Sequence, residues 1–334
     1  MSRVHFPRDE GSHPVGTEWW YYNGFLTSED GTEYSFMLTF FKINFAKGRL
    51  LDVLPTKFHR MLFPLIEGRA VNAHISDLTN KQFYPQYVHY GALPVITHAL
   101  PKKMHVHFGR ELAEMHKRHQ HIMFSRGKTA FRLRLKSRKK PIMWGDGGVI
   151  PMGEKGDSYY YSLTRLNTEG TLTIQGKTKK VKGIAWLDHQ WGNWDLLDDR
   201  WTWFSIQLSD DTDLMIFSFK NTKSREKIRF AGIAGRNGRV EMLNNVRIIP
   251  KKYWKSPETK KRYATSYEII LPERKMKLRV DAYYPAQEMT DPRSPPYYEG
   301  ACTVSGTVGK RKVRGRAYLE MADFDKLWLR RKYS

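Results

Sequence analysis

Cysteine is nearly absent. Cys302 stands alone among 334 residues, so no intrachain disulfide staples the fold and no cysteine-based metal or redox motif is available. Long apolar runs are missing too, and nothing approaches the roughly 20 apolar residues that a membrane-spanning helix needs. The opening MSRVHFPRDEGSHP has no apolar core of the kind a secretory leader carries. A cytoplasmic or membrane-peripheral location is expected for the chain as written, and an exported one if a leader has been removed. Acidic residues are scarce beside basic ones, 34 against 57, which leaves a net charge of +23. Such an excess suits nucleic acid or an anionic membrane surface. Yet the basic residues scatter over Lys102 to Lys140, KTKKVK (177–182), KKYWKSPETKKR (251–262) and KRKVRGR (310–316). No zinc-finger spacing, RNP-like run or helix-turn-helix pattern accompanies them. Nucleic acid is therefore not expected as a partner, whereas an anionic membrane surface stays among the expectations. Walker loops, dinucleotide fingerprints and lipase-type nucleophile elbows are also lacking. GDGGVIPMG (145–153) is rich in glycine but does not fit a phosphate cradle, and reads as a loop near a barrel mouth.

What the chain has in plenty is aromatic residues, at 13%, and hydrophobic alternation of period two. YSFMLTFFKINF (34–45), TAFRLRLKS (129–137), YYYSLTRL (159–166), TLTIQGK (171–177), VKGIAWLDHQW (181–191), RWTWFSIQLS (200–209), DLMIFSFK (213–220) and RGRAYLEMADF (314–324) all read as strands. Turn signals at EDGTE (29–33), NTEG (167–170), SDDTD (209–213) and GRNGR (235–239) separate them, so 159–191 reads as a meander of short antiparallel strands. ELAEMHKRHQH (111–121) offers a helical alternative. The length suits two domains, and many short strands favour sandwiches or closed barrels, which hide sheet edges. The expected class is all-β, with domains over 1–192 and 193–334.

Two clusters carry candidate chemistry. In WLDHQWGNWD (186–195), strand alternation puts Trp186, Asp188 and Gln190 on one face and Leu187, His189 and Trp191 on the other. Asp188 and His189 therefore form no simple dyad. Asp188, flanked by rings, is a candidate for a carboxyl raised by desolvation, as a general acid needs. The alternative is a buried carboxylate satisfied by neighbours. In HPVGTEWWYYNGFL (13–26), Glu18, Trp20 and Tyr22 share one face, and Trp19 and Tyr21 the other. Glu18 either serves as acid or base beside a ligand or pairs with a basic neighbour in a packed barrel bottom. The histidines of HVH (105–107) and HKRHQH (116–121) have same-face spacing for metal ligands, but no companion acid has convincing spacing. A basic, histidine-rich surface loop is expected there, and no metal is assigned.

HPVGTEWWYYNGFL, YYYSLTRLNTEGTLTIQGKTKKVKGIAWLDHQWGNW and YYEGACTVSGTVGKRKVRGRAYLEMADF, in that order along nearly the whole chain, resemble the carotenoid 1,2-hydratase (hydroxyneurosporene synthase)/AttH-like family. The resemblance implies two tandem lipocalin-like antiparallel β-barrels or sandwiches packed side by side, with WLDHQWGNW at their junction and its tryptophans clasping them. It implies a cofactor-free, hydratase-like enzyme of the lyase class that adds water to a C=C bond of a hydrophobic isoprenoid or polyene. Carried over, the catalytic group is Asp188 as proton donor, with His189 and Glu18 beside it. Trp20, Tyr21, Trp186 and Trp191 become walls that stabilise a carbocation. Trp19, Gln190 and Tyr160 complete the ligand-binding set. Family chemistry diverges on this fold, so a non-catalytic carrier of a lipid or isoprenoid, or a cyclisation or hydrolysis in the same pocket, stands as the alternative.

Overall fold

The computed structural model describes residues 3–44, 67–91, 96–152, 156–194, 199–221, 224–292 and 294–323. Among them there is no α-helix, only two single-turn 3-10 segments, Arg8–Glu10 and Pro272–Arg274, and no helix long and apolar enough to cross a membrane. The chain divides into two compact units, Met1–Thr79 with Tyr84–Asp195, and Asn80–Phe83 with Leu196–Ser334.

The strands of the first unit are β1 (Thr17–Ser28), β2 (Glu33–Asn44), β3 (Glu67–Asp77), β4 (Gln82–Gly91), β5 (Thr97–Ala99), β6 (His105–Phe108), β7 (Glu111–His116), β8 (His119–Arg126), β9 (Thr129–Ser137), β10 (Ile142–Met143), β11 (Val149–Pro151), β12 (Asp157–Ile174) and β13 (Lys177–Gly192). They form one sheet in the order β4-β3-β2-β1-β13-β12-β9-β8-β7-β6-β5, with β10 and β11 also on β12. The β1–β13 pairing, with Thr17 opposite Gly192 and Ser28 opposite Val181, lies within this sheet, which forms a nearly closed barrel. Among the described residues the outermost strands, β4 and β5, exchange no ladder bonds, and side chains span the gap instead. Arg69 donates to Thr97 Oγ1 at 2.7 Å, and Tyr90 donates to Glu111, which Arg126 also approaches at 3.1 Å.

Alternation explains the core. In β9 the burial pattern BiBeBeBei sends Phe131, Leu133 and Leu135 inward and Arg132 and Arg134 to water, as FRLRLK requires. Trp20, Tyr22, Phe36, Phe40, Phe108, Phe124 and Phe131 fill the interior with side chains.

Four expectations are corrected. NTEG is no turn: β12 runs unbroken through it for 18 residues, with a bulge between Leu163 and Leu166. The reversal falls at Gln175-Gly176, where φ values of 51 and 80° suit the two-residue type I′ hairpin. The meander is thus a single long hairpin. Gly170 earns its place differently: with φ of 155°, a Cβ there would sit 2.0 Å from the Arg132 carbonyl oxygen. Gly170→Ala is expected to cost about 1–3 kcal/mol, read as a lowered thermal midpoint with unchanged circular dichroism at 20 °C. The helical alternative at 111–121 is also wrong. It is the β7–β8 hairpin, in which Ala113 is buried while Leu112 and Glu114 face outward, and Lys117 turns the chain at φ 56°. The histidine-rich loop is likewise replaced by strands β5 to β8. Part of the glycine-rich 145–153 segment forms β11.

The second unit holds β14 (Asp199–Leu208), β15 (Asp213–Asn221), β16 (Lys227–Ala234), β17 (Val240–Leu243), β18 (Arg247–Lys255), β19 (Arg262–Leu271), β20 (Met276–Ala282), β21 (Glu288–Asp291), β22 (Ser294–Val308) and β23 (Arg311–Asp323). Their order is β17-β16-β15-β14-β23-β22-β20-β19-β18, with β21 on β22. Phe204, Ile206, Ile216, Ile269, Leu278 and Leu319 lie at the centre of a separate core.

Candidate functional site

Strand β13 positions two different sets of polar side chains, one on each of its faces. Between Trp186 and Trp191 its pairing with β1 is regular, so successive residues alternate.

On the core face, Glu18 of β1 and His189 of β13 are fully buried. His189 Nε2 lies 3.0 Å from Glu18 Oε1, and His189 Nδ1 lies 3.3 Å from the Tyr161 hydroxyl. Trp20 stacks on the His189 ring at 4.7 Å. His13 Nδ1 reaches the same Glu18 oxygen at 2.8 Å, while its ring stacks on Trp191 at 4.0 Å. Lys42 Nζ stands 2.5 Å from Glu18 Oε2 and donates to Ser12 Oγ at 2.6 Å. Burial alone would raise the Glu18 carboxyl, but Lys42 and the two imidazoles more than offset that and hold it well below the usual range. Burial pushes His189 down to about 4, against the raising influence of Glu18, so the ring is neutral at pH 7.

Among the described residues, His13, Glu18 and His189 are the one trio of metal-ligating side chains whose ligand atoms all fall within 4.8 Å of one another. A cation placed there would meet the Lys42 ammonium on the same carboxylate. The cluster is better described as a buried ion-pair network, and Glu18 does pair with a basic neighbour.

This network has a pH signature. The unfolded chain protonates His189 between pH 6.5 and about 4, whereas the folded barrel does not, so its contribution to stability is lost as pH falls through that window. His189→Gln abolishes this loss. The stability gap between wild type and variant is expected to shrink by on the order of 3 kcal/mol between pH 7 and pH 4, as measured by urea unfolding at the two values.

The opposite face of β13 carries Asp188. Its carboxylate is buried and accepts hydrogen bonds from the Tyr160 hydroxyl at 2.7 Å on Oδ2, and from Trp186 Nε1 at 2.5 Å and the Ser162 hydroxyl on Oδ1. Trp144 Nε1 donates to Ser162 Oγ at 2.6 Å, and its indole lies nearly parallel to that of Trp186, with centroids 6.5 Å apart. Register places Tyr21 and Ser162 directly opposite Asp188, and Trp19 and Tyr160 opposite Gln190. Gln190 donates to Ser158 Oγ at 2.8 Å. Trp19 packs edge-on against Trp194 at 5.0 Å. Burial drives the Asp188 carboxyl up to about 7, against the three donors that favour its ionised form.

The residues singled out in the sequence therefore separate into two groups. Asp188, Gln190, Trp186, Tyr160, Trp19 and Tyr21 share the face opposite the core. Glu18, His189, Trp20 and Trp191 lie on the core side, and no single pocket gathers all three candidate acid–base groups. Sequence reasoning did not single out Trp144, Ser162, Lys42 or Tyr161. Trp144 and Lys42 come from distant segments, and only the sheet register could have exposed Ser162 as the cross-strand neighbour of Asp188. A separate groove of about 920 Å³ on the first unit includes Met123, Arg132, Arg134, Lys180 and Lys182. Lys182 is six residues from Asp188 along β13, ~20 Å away. The groove gathers exposed charge, whereas the Asp188 face gathers a buried acid and rings.

Comparison with known proteins agrees with this architecture. An AttH protein of Nitrosomonas europaea has a similar structure, with a TM-score of 0.81 at 22% identity over 97% of this chain and 98% of that one. Kievitone hydratase from Nectria haematococca gives a TM-score of 0.78 at 19% identity, covering 96% and 93%. In sequence, kievitone hydratase of Fusarium solani subsp. phaseoli is 25% identical over 187 residues, 52% of this chain and 51% of that protein. The chain thus aligns over about half the length of this curated relative. The AttH-like family model matches residues 1–324, and the chain belongs to the AttH-like family.

Proposed function

We propose that the protein is a hydratase-type enzyme that adds water across a C=C bond of an apolar alkene, with Asp188 as the general acid. The observation that carries this reading is a buried aspartate brought to about 7 by burial and set among Trp144, Trp186 and Tyr160. A carboxyl near neutrality holds its proton in a useful fraction of molecules and can still release it. Trp186 Nε1 can only donate, so Oδ1 stays the acceptor. Oδ2 meets only the Tyr160 hydroxyl among the described residues, and this hydroxyl can reverse its role. The transferable proton therefore resides on Oδ2.

Protonation of an alkene carbon leaves a carbocation, which the faces of nearby indoles stabilise. Water adds to the cation and returns a proton to Asp188, so no net acid is consumed. The likeness to a kievitone hydratase supports the reaction type. The rings around Asp188 favour a hydrophobic substrate, and an isoprenoid or polyene is the class to test first.

The test is incubation of the full chain in H₂¹⁸O with a panel of terpenoid alkenes, followed by mass spectrometry. Incorporation of one labelled oxygen per turnover is expected. An alkene that binds but is recovered unlabelled throughout the panel would replace the enzyme reading with that of a carrier.

A further inference from the structure

The outer face of β5, β6 and β7, away from both sets of residues above, carries three histidines and a glutamate. Ladder pairing sets His98 directly opposite His107, and His105 directly opposite Glu114. Val106 and Phe108 point into the core, so His105 and His107 point outward. His98 Nε2 and His105 Nε2 face each other at 3.0 Å. His107 lies beside them, its ring centroid 5.0 Å from that of His98.

Two features distinguish this group from scattered surface histidines. The far nitrogen of His105, Nδ1, is held 3.2 Å from Glu114 Oε2. That is the carboxylate–histidine arrangement which, behind a metal ligand, fixes the tautomer and leaves Nε2 as the lone-pair nitrogen. In addition, His107 Nδ1 is shielded from solvent and finds no hydrogen-bond partner among the described residues. Two imidazole nitrogens at this separation, both on short neighbouring strands, need little movement to close on one ion.

We propose that His98 and His105 form a two-imidazole site for a divalent ion of the imidazole-preferring class, Zn²⁺ or Cu²⁺, with Glu114 orienting His105 and His107 beside the pair. The ion would tie β5, a three-residue strand that among the described residues pairs with β6 alone, to the rest of the barrel. Its role is to fasten the edge of the sheet.

The experiment uses the full chain stripped with chelator, then titrated with Zn²⁺ by calorimetry and with Cu²⁺ by electron paramagnetic resonance. One equivalent is expected to bind with micromolar or tighter affinity, with nitrogen hyperfine structure from at least two imidazoles and a rise in thermal midpoint on loading. His98→Gln and His105→Gln should each weaken binding at least tenfold, and Glu114→Gln by about 10- to 100-fold. His119→Gln, at a half-buried histidine on β8, should leave it unchanged. These positions lie on the surface, and circular dichroism confirms that each variant is folded. The proposal is overturned if no saturable binding occurs below 1 mM, or if His98→Gln and His105→Gln bind as wild type does. It is equally overturned if His13→Gln, and neither of those two, removes the site, which would move the ion to the Glu18 cluster.

Discussion

Asp188→Asn is expected to lower turnover of an alkene substrate by about 10²–10⁴-fold while changing ligand affinity by no more than a few-fold. The amide keeps the shape and still accepts from Trp186 and Ser162 through its oxygen, but its N–H protons are far too weakly acidic to be given to carbon. A labelled-water assay on wild type and variant, with binding followed by tryptophan fluorescence, separates the two effects. Unchanged turnover in a folded variant would remove Asp188 from catalysis.

The same substitution has a stability signature of the opposite sign to that of His189. The folded state keeps a proton on Asp188 up to about pH 7, whereas the unfolded chain releases it near pH 4. Between those values the folded state binds more protons, so this carboxyl lowers stability progressively as pH rises. Asp188→Asn removes that penalty, and the variant should gain on wild type by on the order of 4 kcal/mol from pH 4 to pH 8. Loss of activity together with gain of stability at pH 8 is the pattern of a strained functional acid. A structural carboxyl with the same burial would give the gain in stability without the loss of activity.

The second large effect concerns Lys42. Lys42→Met is expected to destabilise the first unit by about 3–5 kcal/mol, because it removes the ammonium from the fully buried Glu18 and leaves it with hydrogen bonds from the Ser12 hydroxyl, the His13 backbone N–H and two imidazoles. Glu18→Gln with Lys42→Met removes both charges and should recover most of that loss. Urea unfolding of the single and double variants checks this. If Lys42→Met is neutral, the pair is not desolvated in the folded protein.

Much of the architecture was legible because strand alternation is a local signal. FRLRLK and WLDHQW each declared their two faces, and the separation of Asp188 from His189 followed from counting residues. What stayed hidden was non-local. NTEG has turn composition, yet the bulge at Leu163–Leu166 and the close approach of Arg132 beneath Gly170 keep β12 extended past it. ELAEMHKRHQH has helix-forming residues, but pairing with β6 and β9 overrides that preference. Lys42 and Trp144 could not be assigned to their partners from spacing, since Glu18 lies 24 residues from one and Asp188 lies 44 from the other. The aspartate and glutamate that stood out in the sequence are both buried and both exceptional. They are displaced in opposite directions because one meets an ammonium and the other does not.

The pairing of β1 with β13 also orders events during synthesis. Ladder contacts between residues about 165 positions apart carry a large loop-closure cost and form slowly. The first barrel cannot close until residue 192 has left the ribosome, by which time β2 to β12 are already available to pair in sequence. Glu18 and His189 sit on the two strands that meet last, so their charges remain hydrated through the early steps. Desolvation of the network is deferred to the arrival of β13, and a nascent chain halted before it would hold two separate sheets, β4-β3-β2-β1 and β12-β9-β8-β7-β6-β5, with the β1 and β12 edges unpaired.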